Sequence, residues 1–89
     1  MKKSQPIRVL IAEDHMIARI GVATIVNEQA DMVVVAQAIN GQQAVELYRQ
    51  ERPDISLIDM LMPVMNGFDA VLKIRLEFQT QTTLTSATT

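Results

Sequence analysis

The chain has 89 residues, of which 48% are hydrophobic, so it can form one small globular domain and is too apolar to be disordered. Its net charge of −2 gives no electrostatic footprint for direct binding of DNA or RNA, and the lack of cysteine excludes disulfides and thiolate metal sites. No apolar stretch reaches the ~20 residues of a membrane span, and no signal-peptide core follows Lys2 and Lys3. We therefore expect a soluble cytoplasmic protein.

The first half of the chain alternates between strand and helix signals. Residues 7–14 (IRVLIAED) are a nearly continuous apolar run that ends in two acids, which is typical of a strand covered on both faces. Residues 15–29 carry apolar side chains at helical spacing and predict an amphipathic helix. Residues 31–38 (DMVVVAQA) are rich in valine and predict a second strand.

The second half continues this alternation. Asn40 has the chemistry of an N-cap and begins a helix that residues 52–54 (RPD) end, because the residue before a proline avoids the α region. Residues 55–59 (ISLID) predict a third strand, and the apolar spacing between 68 and 78 predicts a third helix. The order βαβαβα is typical of an α/β fold with a parallel sheet and right-handed crossovers.

Residues 79–89 (QTQTTLTSATT) fit two descriptions. They are rich in threonine, and Leu84 is their only large apolar residue. They could form a weak fourth strand at the edge of the sheet, which would make the order βαβαβα(β). They could equally form a frayed C terminus, and the pattern does not separate the two.

Three acids follow two of the predicted strands. Glu13 and Asp14 end the first strand, and Asp59 ends the third. Ligands bind outside the carboxyl ends of parallel strands, so these acids converge on one crevice if the first strand lies between the other two. Oxygen ligands without cysteine suit a hard cation such as Mg²⁺, beside which an aspartate can act as a nucleophile toward phosphorus.

Each of these features also has a plainer interpretation. A single acid after an apolar run is usually the end of a strand at the solvent. His15 is most simply the residue that begins a helix, and the methionines at 60, 62 and 65 are typical of flexible packing. Asn66 and Gly67 are first of all a turn signal.

Three segments together are similar to a known family. They are VLIAEDH (9–15), INGQQAVEL (39–47) and DISLIDMLMPVMNG (54–67). They resemble the bacterial response-regulator receiver domain, the phospho-accepting module of two-component signalling. The resemblance covers residues 6–78 well, and its opening is most similar to the subgroup with a helix-turn-helix DNA-binding output domain. It implies a flavodoxin-like, doubly wound parallel sheet.

The resemblance also implies roles for individual residues. Asp59 would be the phosphoacceptor, Asp14 a direct Mg²⁺ ligand, and Glu13 a ligand acting directly or through water. The backbone carbonyl of Leu61 would complete the protein ligands. The donor would be a phosphohistidine on a sensor histidine kinase, or a small phosphodonor. The chain would then be a signalling module and not an enzyme.

The chain departs from the family pattern at its end. Complete receivers are similar to a five-stranded, five-helix sandwich, whereas residues 1–89 match only to the third helix and a remnant of strand four. We therefore expect a partial receiver domain. Thr85 is the best candidate for the switch residue, with Ser86 next. The late lysine that contacts the phosphoryl group has no counterpart after Lys73, so we expect impaired phosphotransfer.

Two other functions are compatible with parts of the sequence. Without strands four and five the edge of the third strand would be open, and open edges pair with other chains. The chain could therefore be an interaction module that forms a homodimer, or exchanges strands, without accepting phosphate. A Mg²⁺-dependent phosphatase with an aspartyl nucleophile fits poorly, because Leu61 occupies the position of the second acid such enzymes usually need.

Overall fold

The computed structural model describes residues 5–62 and 64–78. Its elements, in chain order, are β1 (Ile7–Ala12), α1 (Met16–Asn27), β2 (Met32–Ala38), α2 (Gly41–Glu51), β3 (Ile55–Ile58) and α3 (Gly67–Phe78). The predicted order βαβαβα is thus confirmed. The prediction for residues 79–89, a fourth strand or a frayed end, lies outside the described residues. No helix in the described ranges has both the length and the apolar character that a membrane crossing requires.

β1 is the central strand of a three-stranded sheet with the order β2-β1-β3. It runs parallel to β2, with Ile7 opposite Met32, and parallel to β3, with Ala12 opposite Ile58. All of the last four residues of β1 are buried, which explains its continuous apolar sequence. Because the three strands are parallel, their carboxyl ends lie at one rim of the sheet, and the end of β1 lies between the other two.

Helices cover both faces of the sheet. On one face Leu10 and Ile58 pack in a cluster with residues of α2 and α3, including Val45. On the other face Val9 and Ile11 pack with residues of α1, including Ala23 and Val26. This alternation of side chains on β1 gives the sheet a core on each face, as predicted for a doubly wound fold.

The ends of α2 are fixed by local chemistry. The Asn40 side chain accepts a hydrogen bond from the amide of Gln43 at 2.8 Å, which confirms the predicted N-cap. The Gln43 side chain reaches back to the amide of Ile39 at 3.0 Å, a variant of the capping box. At the other end Arg52 takes a left-handed conformation (φ 46°) directly before Pro53.

A charged pair joins α2 to α3. Arg49 donates two hydrogen bonds to the carboxylate of Glu77, at 2.9 and 2.8 Å, and Lys73 lies 3.4 Å from the same group. Next to this pair the rings of Tyr48 and Phe78 lie 5.1 Å apart. The hydrogen bonds from Arg49, with help from Lys73, lower the pKa of Glu77 from 4.5 to about 2.

We expect the Arg49–Glu77 pair to stabilise the fold only where Glu77 is ionised. Because its pKa is lowered on folding, this stabilisation is complete above about pH 4.5 and disappears as the pH falls through about 2. Glu77→Gln should therefore lower the urea midpoint at pH 7, and the difference from the wild type should shrink below pH 4.5. The matched control is Asp31→Asn, since the Asp31 side chain has no partner among the described residues. A difference that does not change with pH would contradict the assignment.

Ser56 is a buried polar residue in the middle of β3. Its side chain is fully buried, and its Oγ has no hydrogen-bond partner within the described part of the chain. A buried, unsatisfied hydroxyl costs about 1–3 kcal/mol relative to a satisfied one. We therefore expect the Ser56 hydroxyl to lower the stability of the fold relative to a small apolar residue at the same position.

We expect Ser56→Ala to leave the free energy of unfolding unchanged or to raise it by up to about 1 kcal/mol, because the substitution removes an unsatisfied group. Ile58→Ala, two residues along the same strand, should lower it by about 2–5 kcal/mol through the cavity that it leaves. Urea unfolding of both variants measures the contrast. A clear loss of stability in Ser56→Ala would mean that the hydroxyl has a partner.

Candidate functional site

The three predicted acids come together at the rim of the sheet. Glu13 and Asp14 follow β1, and Asp59 follows β3. One carboxylate oxygen from each, together with a ring nitrogen of His15, lie within 4.8 Å of one another. The condition set by the sequence, that the first strand lies between the second and the third, is met.

Backbone hydrogen bonds fix two of the acids to the sheet. The amide of Glu13 donates to the carbonyl of Ala38 at 3.0 Å, and the amide of Asp59 donates to the carbonyl of Ala12 at 2.9 Å. Both bonds continue the strand pairing one residue beyond the regular strands. From α1, the guanidinium of Arg19 donates to the Glu13 carbonyl at 3.0 Å. The main chain thus places Glu13 and Asp59 at the rim of the sheet.

The acidic cluster is largely shielded from solvent. The Glu13 and Asp14 side chains are 12% and 28% exposed, and Asp59 is 7% exposed. Carboxylates this close repel one another unless a cation or a proton offsets their charge. The Oδ1 atom of Asp14 is buried and accepts no hydrogen bond from the described residues. A buried carboxylate oxygen without a donor, among other carboxylates, fits the ligand set of a hard divalent cation.

His15 belongs to this cluster, although the sequence most simply indicated a helix-start residue. It does occupy the N-cap position of α1, but its side chain makes no cap hydrogen bond. Its Nδ1 instead lies 2.9 Å from Glu13 Oε2 and 3.4 Å from Asp14 Oδ1. The hydrogen bond with Glu13 raises the pKa of His15, and the charges of Asp14 and Asp59 add to the effect. When protonated, the imidazole supplies positive charge at the rim.

The loop after Asp59 is organised by hydrogen bonds at both of its ends. The amide of Leu61 donates to Asp59 Oδ1 at 3.1 Å, which orients the carboxylate. The amide of Gly67 donates to the Met60 carbonyl at 2.9 Å, and the Asn66 side chain caps α3 through the amide of Asp69. Asn66 is therefore a helix cap as well as part of the predicted turn.

The middle of the loop is strained and exposed. Val64 has a φ of 69°, a left-handed conformation that is costly for a β-branched residue, and it is mostly exposed. Met62 is buried in the core and Met65 packs against it, which agrees with a packing role for these methionines. The other predicted site residue, Thr85, lies outside the described residues.

Comparison with known proteins identifies the family. The model of the "Response regulator receiver domain" family matches residues 9–89 of the chain. The chain belongs to this family. Its curated relatives include the "Nitrate/nitrite response regulator protein NarL" of Escherichia coli, which is 37% identical over 75 residues, 84% of this chain and 35% of the relative. The "Response regulator protein VraR" of Staphylococcus saprophyticus is 36% identical over 79% of this chain and 34% of the relative.

Solved receiver structures have the same fold. The response regulator domain of Thermotoga maritima CheB matches with a TM-score of 0.86 and 34% identity, over 93% of this chain and 62% of that one. The receiver domain of the putative NarL of Mycobacterium tuberculosis gives a TM-score of 0.86 and 32% identity, over 97% of this chain and 70% of that one. The predicted flavodoxin-like receiver fold is confirmed. The chain spans about a third of the length of the curated regulators that it matches.

Proposed function

We propose that this receiver domain accepts a phosphoryl group on Asp59 in a reaction that requires Mg²⁺. The observation that carries the proposal is the gathering of oxygens from Glu13, Asp14 and Asp59 within 4.8 Å, in a chain of the receiver family. Asp59 is nine-tenths buried among other carboxylates, which costs free energy when it is ionised. Buried, interacting acids of this kind are typical of functional sites.

In this proposal the acids of the rim are ligands of the ion, and Asp59 is also the nucleophile. Asp14 and Glu13 would hold the ion together with Asp59, and the backbone carbonyl of Leu61 would be a further ligand. When bound, Mg²⁺ offsets the negative charge on the phosphoryl group during transfer. A carboxylate oxygen of Asp59 attacks phosphorus while the bond from phosphorus to the donor atom breaks, which leaves an acyl phosphate on Asp59. The amide of Leu61 keeps the carboxylate oriented for this attack.

The donor in this proposal is a phosphohistidine of a sensor histidine kinase, or a small phosphodonor, in the cytoplasm. Transfer from such a donor makes the chain a signalling component and not an enzyme. Thr85, which lies in the segment that the family model matches, is the candidate switch residue. The net charge of −2 gives residues 1–89 no electrostatic footprint for DNA, so we expect them not to bind DNA directly.

Phosphotransfer should be slow in residues 1–89 taken alone. The last lysine of the sequence, Lys73, belongs to α3 and lies 3.4 Å from Glu77. The sequence thus supplies no later lysine to offset charge on the transferring group. Loss of one preorganised charge of this kind typically costs about 100- to 1,000-fold in rate.

We expect acetyl phosphate and Mg²⁺ to add the mass of one phosphoryl group to a minor fraction of the protein. Asp59→Asn should abolish the added mass because it removes the nucleophile, and Asp14→Asn should lower the Mg²⁺-dependent labelling because it removes a ligand of the ion. Mass spectrometry of the intact protein measures both. Labelling that persists in Asp59→Asn would overturn the assignment of the phosphoacceptor, and complete labelling of the wild type would overturn the expected impairment.

A second candidate function is that of an interaction module. Among the described residues β3 pairs with β1 alone, and within them its other edge has no partner strand. Beside it an apolar cleft between α1 and β3 is lined by Ile11, Val22 and Leu57, together with Ala12, Glu13, Ile58 and Asp59. The occupant that we propose for this edge is a second copy of the chain, which presents the same strand and could pair with it symmetrically.

We expect light scattering at micromolar concentration to show a dimer that dissociates on dilution, because a second copy would complete the edge of β3. Leu57→Lys should favour the monomer, since a lysine on an edge strand opposes pairing. The control is Ile17→Lys on the exposed face of α1, which should not change the mass. A stable 9.9 kDa monomer in the wild type would contradict pairing through this edge.

A further inference from the structure

The loop between β3 and α3 is enclosed by the first residues of two helices, and both are glycines. Gly41 begins α2, Gly67 begins α3, and both are buried. A Cβ on Gly41 would lie 2.6 Å from the carbonyl carbon of Met65 and 2.8 Å from its Cβ, closer than Cβ atoms come in real structures. A Cβ on Gly67 would lie 2.7 Å from the carbonyl carbon of Asp59. Each helix therefore approaches the loop more closely than any side chain would allow.

The two glycines contact the loop in different ways. Gly67 follows the loop directly, and its amide already closes the loop on the Met60 carbonyl. Gly41 comes from another part of the chain and touches the loop from outside. The Asn40 cap fixes the position of Gly41, because its side chain holds the first turn of α2 through the amide of Gln43.

Contacts with the rest of the fold hold this loop in a strained conformation. Val64, next to Met65, has the left-handed conformation that a β-branched residue keeps only where its surroundings impose it. The side chains of Leu61 and Val64 are mostly exposed and so contribute little packing. The backbone of Met65 against Gly41 joins this stretch to α2, and it adds to the anchoring that the buried Met62 and the Met65 side chain provide in the core.

We propose that Gly41 is a positioning residue for the phosphoacceptor loop. Its contact with Met65 holds the loop where the Leu61 amide meets Asp59 and where the Leu61 carbonyl can take part in binding a cation. The expected effect on cation binding rests on the proposed function, whereas the contact between Gly41 and Met65 does not. A methyl group at position 41 would force Met65 outward, and the movement would pass along the loop to Leu61.

The test substitution is Gly41→Ala, and Gly21→Ala is its matched control. A Cβ at Gly21, in the middle of α1, meets nothing within 4 Å, so the same chemical change there should leave the site unaltered. We expect Gly41→Ala to weaken Mg²⁺ binding, measured by calorimetry, by about tenfold or more, because loss of the groups that orient metal ligands typically costs ~10- to 100-fold in metal affinity. Mg²⁺ affinity equal to that of the wild type would overturn the proposal.

Weaker Mg²⁺ binding in Gly41→Ala has two possible causes, a less stable fold or a displaced loop, and a second variant separates them. Val45→Ala, in the same helix, removes a buried side chain and lowers stability without adding volume beside the loop. At a temperature where both variants are folded, Gly41→Ala should bind Mg²⁺ more weakly and Val45→Ala should bind it as the wild type does. Equal weakening in both variants would show a merely structural role for Gly41.

A second readout needs no metal. In the metal-free protein, Gly41→Ala should shift the amide resonances of Leu61 and Gly67, whereas Gly21→Ala should not. If the wild type neither binds Mg²⁺ nor accepts a phosphoryl group, the proposed function fails, and these shifts still decide the positioning role. Unchanged shifts would overturn that role.

If Gly41→Ala does not fold, Asn40→Ala takes its place. Loss of the cap frays the first turn of α2, and with it the contact between Gly41 and Met65. The Leu61 amide should then exchange with solvent faster, whereas that of Ile11 in the centre of the sheet should change much less. Equal acceleration of both amides, or no change at Leu61, would overturn the proposal.

Discussion

Parallel hydrogen bonding of β1 to both of its neighbours is the interaction on which the rest of the structure depends. It buries β1 on both faces and brings the carboxyl ends of all three strands to one rim. The same ladder continues one residue further on each side, through the amides of Glu13 and Asp59. The backbone of Glu13 and of Asp59 is therefore a direct extension of the sheet, which places these two members of the acidic cluster at its rim.

This placement of the acids has an electrostatic cost. Three carboxylates are held close together and largely out of solvent, where they cannot separate to relieve their repulsion. When protonated, His15 offsets part of the charge from the exposed side, while the buried Oδ1 of Asp14 is left without a hydrogen bond from the described residues. A site of this kind weakens the metal-free fold and strengthens the binding of a cation, because the fold has already brought the ligands together.

Much of this arrangement could be predicted from the sequence because it depends on local patterns. The continuous apolar run of β1 indicates burial on both faces, and Asn40 caps α2 as its residue type predicts. The contacts that could not be predicted join residues whose distance in the fold does not follow from the order of apolar and polar residues in the sequence. The approach of Gly41 to Met65 depends on how α2 packs, and the contact of His15 with Glu13 depends on how the chain turns into α1.

The two proposed functions meet at β3. Asp59 follows this strand directly, and within the described residues the strand's second edge is unpaired. A chain that paired with this edge would lie beside the strand that positions the phosphoacceptor and its loop. If phosphorylation moved the loop, it would change the free energy of pairing, and pairing would change the free energy of phosphorylation by the same amount. If both proposals hold, phosphate acceptance and strand pairing are two linked equilibria of one strand and not competing functions of the chain.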